Sequence, residues 1–336
     1  MPLKIKFGFG SNANPKQELK DMIPIKRKSR MGKIKAAAEL PKKNKSFNLD
    51  CLKELNKLVG LVNIKNIIEE VMAYAKIQQK REQEGLTSES MVLHMIFRGN
   101  PGTGKTTVAR LMGKILKELD ILDRGHINEV ERADLIGEYV GHTAQKTREQ
   151  IKKSLGGVLF IDEAYSLARG GSKDFGKEAI DVLVKAMEDH GKDLVLILAG
   201  YKKEMEFFIN TNPGLRSRFP IHLDFPDYTE EELYEIANLM VTERQYELTM
   251  EAKNKLKRVI KKAVTTGHKY DGNARLIRNI IEKAIRAQAL RLVKENNFSR
   301  NKLIFLEDPD INYLNIDEIE SNEDIRLLQK TRQLAN

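Results

Sequence analysis

The chain has 336 residues, 41% of them hydrophobic, enough to bury a sizeable core and to build two globular units rather than one. Its net charge of +10 lies wholly in residues 1–45, which hold 13 Lys+Arg against 3 Asp+Glu; the remainder balances 45 against 45, so the globular part carries no general nucleic-acid signature. The longest apolar runs, "LVLILA" at 194–199 and "GVLF" at 157–160, fall far short of the ~20 residues that span a bilayer, which excludes a membrane helix.

At the N-terminus, "MPLKIKFGFGSNANPK" has neither a continuous apolar core nor a small-residue cleavage site, so no secretory signal is expected. The basic stretches "PIKRKSRMGKIK" and "PKKNK" are polar and poor in aromatics, and residues 1–45 read as a disordered tail. Such a tail is either a solvated extension or an electrostatic tether to an acidic partner, a membrane surface or nucleic acid. Cys51 stands alone, which rules out an internal disulfide and fits a reducing, cytoplasmic location. Six histidines without ligand spacing offer no dedicated metal cage.

From residue 50 the apolar positions recur at helical spacing. Ile64, Ile67, Ile68, Val71, Met72 and Ala75 line one side of a long amphipathic helix. A strand is predicted over "MVLHMIF" (91–97), followed by the glycine-rich "GNPGTGKTT". A helix begins inside that loop, with Val108, Leu111, Met112, Ile115, Leu116 and Leu119 as its apolar stripe. Strand patterns at 126–132, 157–162, 194–199 and 221–225 then alternate with helical patterns at 144–154, 176–188 and 203–210. That alternation predicts an α/β fold, a parallel sheet with helices on both faces, over residues 46–227. Three helical segments follow, at 230–245, 250–265 and 273–294, the first opened by Thr229 as N-cap, and they define a smaller all-helical domain over 228–300. Residues 301–336 form a C-terminal extension, expected to be mostly irregular beyond Asn296, with a short strand in "KLIFL" and a helix at 323–333.

"GNPGTGKT" matches G-x-x-x-x-G-K-[ST] in the required strand, loop and helix context, the P-loop of a nucleoside triphosphatase. Gly99, Gly102 and Gly104 let backbone N–H groups turn toward an anion, and the helix that follows offers its positive end to phosphate. The candidate ATP-binding residues are Asn100, Pro101, Gly102, Thr103, Gly104, Lys105, Thr106 and Thr107, with Lys105 reaching the β- and γ-phosphates and Thr106 holding Mg²⁺. "GVLFIDEA" ends in two adjacent carboxylates at the sheet edge where such folds bind ligands. Asp162 is assigned to Mg²⁺ or its water shell, and Glu163 to the water that attacks the γ-phosphate. "ADLIGEYVGHTAQKT" (133–147) raises a separate question, because it puts Tyr139 between Gly137 and Gly141 where neither helical nor strand periodicity asks for an aromatic.

"GNPGTGKT" with "LFIDEA", "NPGLRSRF" (212–219) and "GNARLIR" (272–278) resembles the AAA+ ATPases, over about residues 50–296. "LVGL" from Leu58, "VERADLIGEYVGHTAQKT" and "DEAYSLARGG" resemble one branch of that family, the stage V sporulation protein K and red-type Rubisco activase group, and lie nearer the sporulation side. The resemblance implies further roles. Arg218 would be an arginine finger reaching the nucleotide of a neighbouring subunit, with Arg216 as its companion, and Arg275 would be the sensor arginine of the helical lid. Val59 and Gly60 would lie near the adenine. Tyr201 stands where many relatives carry a sensor asparagine, a departure that leaves that role open. Tyr139, Val140 and Gly141 would form a pore loop gripping an extended peptide, in a ring of six copies that remodels a client protein. A nucleic-acid motor, a Rubisco-directed remodeller and a nucleotide-switched scaffold are the competing readings, the first weakened because the basic excess lies outside the ATPase.

Overall fold

The computed structural model describes residues 50–88, 92–139, 141–169, 175–265 and 272–311. The basic tail, the helix expected at 323–333 and Val140 lie outside them. Two helices, α1 (Asp50–Lys57) and α2 (Val62–Gln83), lead into strand β1 (Met95–Gly99) and helix α3 (Lys105–Glu118). Then come β2 (Ile127–Val130), α4 (Arg132–Leu135), α5 (His142–Ser154), β3 (Gly157–Ile161), α6 (Gly176–Asp189), β4 (Leu194–Gly200), α7 (Lys202–Thr211), α8 (Pro213–Arg216) and β5 (Ile221–Phe225).

The five strands form one parallel sheet in the order β2-β3-β4-β1-β5. Met95 pairs with Ile197 on one side and Ile221 on the other, so β1 is an interior strand. Period-two geometry divides its neighbours between two cores. Val195, Ile197 and Ala199 of β4 face a cluster with Phe97, Met112 and Ile68. Leu194, Leu196 and Leu198 face the opposite cluster with Leu183, Phe208 and Phe219. Burial on both faces is why β3 and β4 read as unbroken apolar runs rather than alternating ones. Each fully buried phenylalanine, such as Phe97 or Phe160, contributes roughly 1.5–3 kcal/mol by leaving water.

Because all strands are parallel, their carboxyl ends share one edge. Gly99 ends β1, Asp162 follows β3, and Tyr201 follows β4. The sheet order therefore gathers the P-loop, the paired carboxylates and Tyr201 at the edge where α/β sheets bind ligands.

After β5 come α9 (Glu230–Glu243), β6 (Glu247–Leu248), α10 (Met250–Thr265), α11 (Asn273–Glu295), α12 (Arg300–Ile304) and β7 (Phe305–Leu306). Thr229 opens α9 in a capping box: its hydroxyl accepts from the Glu232 N–H at 3.2 Å, and its own N–H donates to the Glu232 carboxylate at 2.8 Å. The expectation of a mostly irregular end beyond Asn296 is corrected for residues 300–311, although the short strand expected in "KLIFL" is present as β7. There β7 pairs in parallel with β6, and Leu306 and Ile311 are buried in the same core as α9, α10 and α11. Gln288 donates to the carbonyls of Lys302, Leu303 and Phe305, while Arg291 makes a two-pronged pair with the buried Asp310 at 2.9 and 2.8 Å. These partners are distant in sequence, so no local pattern announces them.

His94, 2% exposed, accepts from the Leu196 N–H at 3.1 Å through Nδ1. Burial lowers its pKa from the usual 6.5 to about 4. The folded chain thus binds fewer protons than the unfolded one, so His94 favours folding above the unfolded value and loses that contribution as pH falls toward about 4. Thermal melts are expected to show a loss of about 2 kcal/mol between about pH 7 and about pH 5. His94→Asn, which keeps an acceptor without the titration, is expected to flatten that part of the profile.

Candidate functional site

The P-loop owes its shape to two left-handed residues, Gly102 (φ 74) and Gly104 (φ 96), the latter immediately before α3. With no side-chain cap on α3, the first N–H groups of that helix are left for another acceptor. Thr103 is fully buried and donates from its hydroxyl to the Asn100 carbonyl at 2.7 Å, which holds the loop curled. Lys105 Nζ donates to the Gly99 and Asn100 carbonyls, both at 2.8 Å. Burial lowers the Lys105 pKa, a trend that Asp162 opposes and Arg275 reinforces. Lys105 is partly buried, hydrogen-bonded among the described residues to backbone carbonyls alone, and Asp162, Glu163 and Asp227 only partly offset its burial, a setting that favours an anion beside it.

A cleft of about 380 Å³ opens over this loop. Gly99, Pro101, Gly102, Gly104, Lys105, Thr106 and Thr107 form its floor, and Asp162 and Glu163 form one wall. The lid closes it with Ala274, Arg275 and Arg278. Asp162 extends the sheet by donating its N–H to the Val130 carbonyl at 3.0 Å, and its Oδ1 accepts from the Glu163 N–H at 2.9 Å. Glu163 adopts φ 45, an uncommon left-handed conformation for a non-glycine residue, and its side chain is exposed. Tyr165 beneath it is buried, and its phenol is pushed above its ordinary value first by burial and next by the Glu163 charge. Cations on two sides and carboxylates on a third suit a polyanion carrying a divalent cation. Thr106 and Asp162 supply the one hydroxyl and one carboxylate with which Mg²⁺, completed by water and phosphate, is usually content.

Most of the expected ligand-binding set is thus brought together, and some members do not line this cleft. Asn100 is used structurally, donating to both Asp227 oxygens at 2.9 Å. Val59 packs against the lid core, and Gly60 (φ 62) lies so close to the Glu232 carboxylate that a Cβ would clash. Arg218 is off the cleft, donating to the Gly214 carbonyl at 2.7 Å and pairing with Glu188. Arg216 is exposed on α8. Tyr201 does line the cleft, its ring 6.0 Å from that of Tyr165. Sequence reasoning overlooked Arg110 and Arg278, which also line it; the signal for Arg278 was its place one helical turn beyond Arg275.

The segment that bears Tyr139 is anchored at its base and exposes the tyrosine. The Gly137 N–H donates to the buried Thr143 hydroxyl at 3.0 Å, and Lys146 donates to the Ala133 and Ile136 carbonyls at 3.0 and 3.1 Å. Gly137 is buried, and a Cβ there would strike His142; only Gly141 (φ 82) has open space around it. Tyr139 is 65% exposed, and its ring meets that of His142 edge-on, with centroids 5.4 Å apart. At the other end of the segment, Arg132 donates to the Ser166 carbonyl, three residues beyond Glu163.

The family model described as "ATPase family associated with various cellular activities (AAA)" matches residues 95–227, and that for the AAA lid domain matches 229–324. Stage V sporulation protein K of Bacillus subtilis is 56% identical over 261 residues, covering 77% of this chain and 81% of that protein. The chain belongs to the AAA+ ATPases of that type. CbbX of Cereibacter sphaeroides, 46% identical over 72% of this chain and 79% of its own length, is another member of the group. The RuvB protein of Thermotoga maritima shares the fold, with a TM-score of 0.51 at 20% identity over 76% of this chain and 69% of that one. In this AAA+ ATPase no helix among the described residues is long and apolar enough to cross a membrane.

Gly102 is constrained by both its backbone and its neighbours. A Cβ would lie 2.9 Å from both the Arg275 nitrogen and the Gly272 carbonyl oxygen, on a backbone with φ 74. Gly102→Ala is expected to weaken ATP binding by about tenfold or more, read from titration with a fluorescent ATP analogue.

Proposed function

We propose that this ATPase is a ring-forming motor, with six subunits, that remodels a client protein by drawing a peptide segment past Tyr139. The observation that carries the reading is the Tyr139 segment: pinned to α5 at its base, open at its tip, and tied through Arg132 to the turn that bears Glu163. A tyrosine offers a large contact area at low entropy cost, and the open Gly141 beside it leaves the tip room to move. Val140, the remaining member of the triad, would add an apolar contact to the peptide.

In the same reading, Lys105 and the P-loop amides hold the phosphates. Thr106 and Asp162 hold Mg²⁺, which would neutralise phosphate charge when bound. Glu163 accepts the proton of the attacking water as its oxygen bonds to the γ-phosphorus and the ADP oxygen leaves. Arg275 offers a guanidinium from the lid. Arg218 is too far from its own cleft to line it, which supports action on a neighbour's nucleotide with Arg216 beside it. The name of the Bacillus subtilis relative supports a role in spore formation. A Rubisco-directed remodeller is the second reading, favoured by the 46% identity to the protein named as the chloroplastic ribulose bisphosphate carboxylase/oxygenase activase of Cyanidioschyzon merolae. The exposed tyrosine and the charge balance outside residues 1–45 both disfavour a nucleic-acid motor.

Glu163→Gln is expected to bind ATP with near-native affinity and to lose turnover by about 10²-fold or more, in a coupled ATPase assay beside nucleotide titration. Retained turnover contradicts the assigned base. Held in ATP, Glu163→Gln is expected to retain a client from sporulating-cell extract, and the Glu163→Gln, Tyr139→Ala double variant to lose it. Equal retention by both, or recovery of nucleic acid alone, overturns the threading reading.

A further inference from the structure

We propose that Asn273 is a positioning residue that seats the lid on the P-loop and thereby aims Arg275 and Arg278 into the cleft. The inference rests on the reading of Arg275 as a nucleotide contact and adds the part that places it. Asn273 is 7% exposed, stands first in α11, and has φ 62. Its Oδ1 accepts from the Tyr228 N–H at 2.9 Å. Its Nδ2 donates to Asp227 Oδ1 at 2.8 Å and to the Pro101 carbonyl at 3.3 Å. One side chain therefore joins the P-loop, the strand-to-lid connection and the start of α11.

It is the centre of a continuous seam. Asn100 donates to Asp227, Pro101 accepts from Asn273, the Gly102 carbonyl accepts from the Ala274 N–H at 3.1 Å, and the Thr103 carbonyl accepts from the Tyr228 hydroxyl at 3.2 Å. Four consecutive P-loop residues are each bonded to the lid or its connection. A shift of the loop backbone must carry α11 with it or break these bonds. Arg275 and Arg278 follow within the next two turns of α11 and line the cleft, so their reach depends on where the helix starts.

The residue type fits the task closely. Asparagine tolerates a left-handed backbone better than other non-glycine residues except aspartate, and its amide supplies both a donor and an acceptor. Aspartate would set a second carboxylate against Asp227, glycine would keep the backbone and lose the seam, and alanine would be strained. Deep burial makes each unmade bond costly.

Full-length Asn273→Gly, Arg275→Ala and their double variant are to be compared for ATP turnover against concentration, together with nucleotide-free melting temperature. Asn273→Gly is expected to lower kcat/KM by about tenfold and the melting temperature by about 4–8 °C, with turnover measured well below the transition so that the kinetic loss is read on folded protein. The double variant is expected to be within about twofold of the worse single one, because the glycine variant has already misdirected the arginine. Asn273→Asp is expected to be at least as defective as Asn273→Gly, and Asp227→Asn combined with it to recover activity by restoring a neutral–charged pair. Normal kinetics in Asn273→Gly, or losses that multiply in the double variant, overturn the proposal while a defective Arg275→Ala leaves the nucleotide reading standing. A fully active Arg275→Ala overturns the reading of Arg275, and the proposal as stated with it.

Discussion

Gly102 is where the two layers of this protein meet without any side chain between them. Its carbonyl accepts from the Ala274 amide, and its Cα faces backbone atoms of Gly272 and Arg275 closely enough that a methyl group would not fit. The P-loop needs left-handed residues at 102 and 104 to turn its backbone, and the close approach of α11 takes up the space that those glycines leave. The cleft is thus built from one surface of the α/β unit and one helix start of the lid, joined backbone to backbone at Gly102 and through the Asn273 and Tyr228 side chains on either side. Everything that lines it, from Lys105 to Arg278, is placed relative to that contact.

The electrostatics of the cleft follow from what this packing buries. Lys105 is taken from water with only two carbonyls as direct partners, and burial outweighs the help of Asp162 in setting its pKa. Arg275 adds a like charge to the same space. An ATP polyphosphate relieves both costs, which is why a chain with no net charge in its globular part still presents a strong local anion site. The adjacent carboxylates differ in setting: Asp162 is fixed by its bond to the Glu163 amide, whereas Glu163 adopts a left-handed backbone and presents an exposed side chain close to the Tyr165 phenol.

The Tyr139 segment shows the same division between a fixed base and an exposed end. Two flanking glycines suggest a flexible perch, yet Gly137 is a packing residue, held against α5 and bonded to Thr143. Gly141, by contrast, has open space around it. Arg132 links the base to the Ser166 carbonyl, so the turn that presents Glu163 and the loop that presents Tyr139 share a mechanical connection within one subunit. In the proposed motor this bond would couple hydrolysis to the client-gripping segment.

Much of this was legible in the residues. Apolar stripes at periods of 3.6 and 2 are local properties, and they located α2, α3, β3, β4, β5 and the lid helices to within a few residues, because each element buries a face whose spacing its own geometry dictates. P-loop chemistry is equally local: three glycines, Lys105 and Thr106 act through one strand-to-helix turn, and the carboxylates at 162–163 announce themselves by following a buried strand. What the chain alone could not decide depends on partners distant in sequence. The order of residues 300–311 comes from Gln288 and Arg291 reaching across the lid. The use of Asn100 as a brace to Asp227, the packing of Gly137, the presence of Arg110 and Arg278 in the cleft and the seat of Asn273 on Pro101 all arise where separate elements meet. A hydrogen bond between residues 172 positions apart leaves no periodic trace in either segment. Sequence therefore determined which elements form and which chemistry they carry; tertiary structure decided which polar groups hold the elements together and which remain free to act.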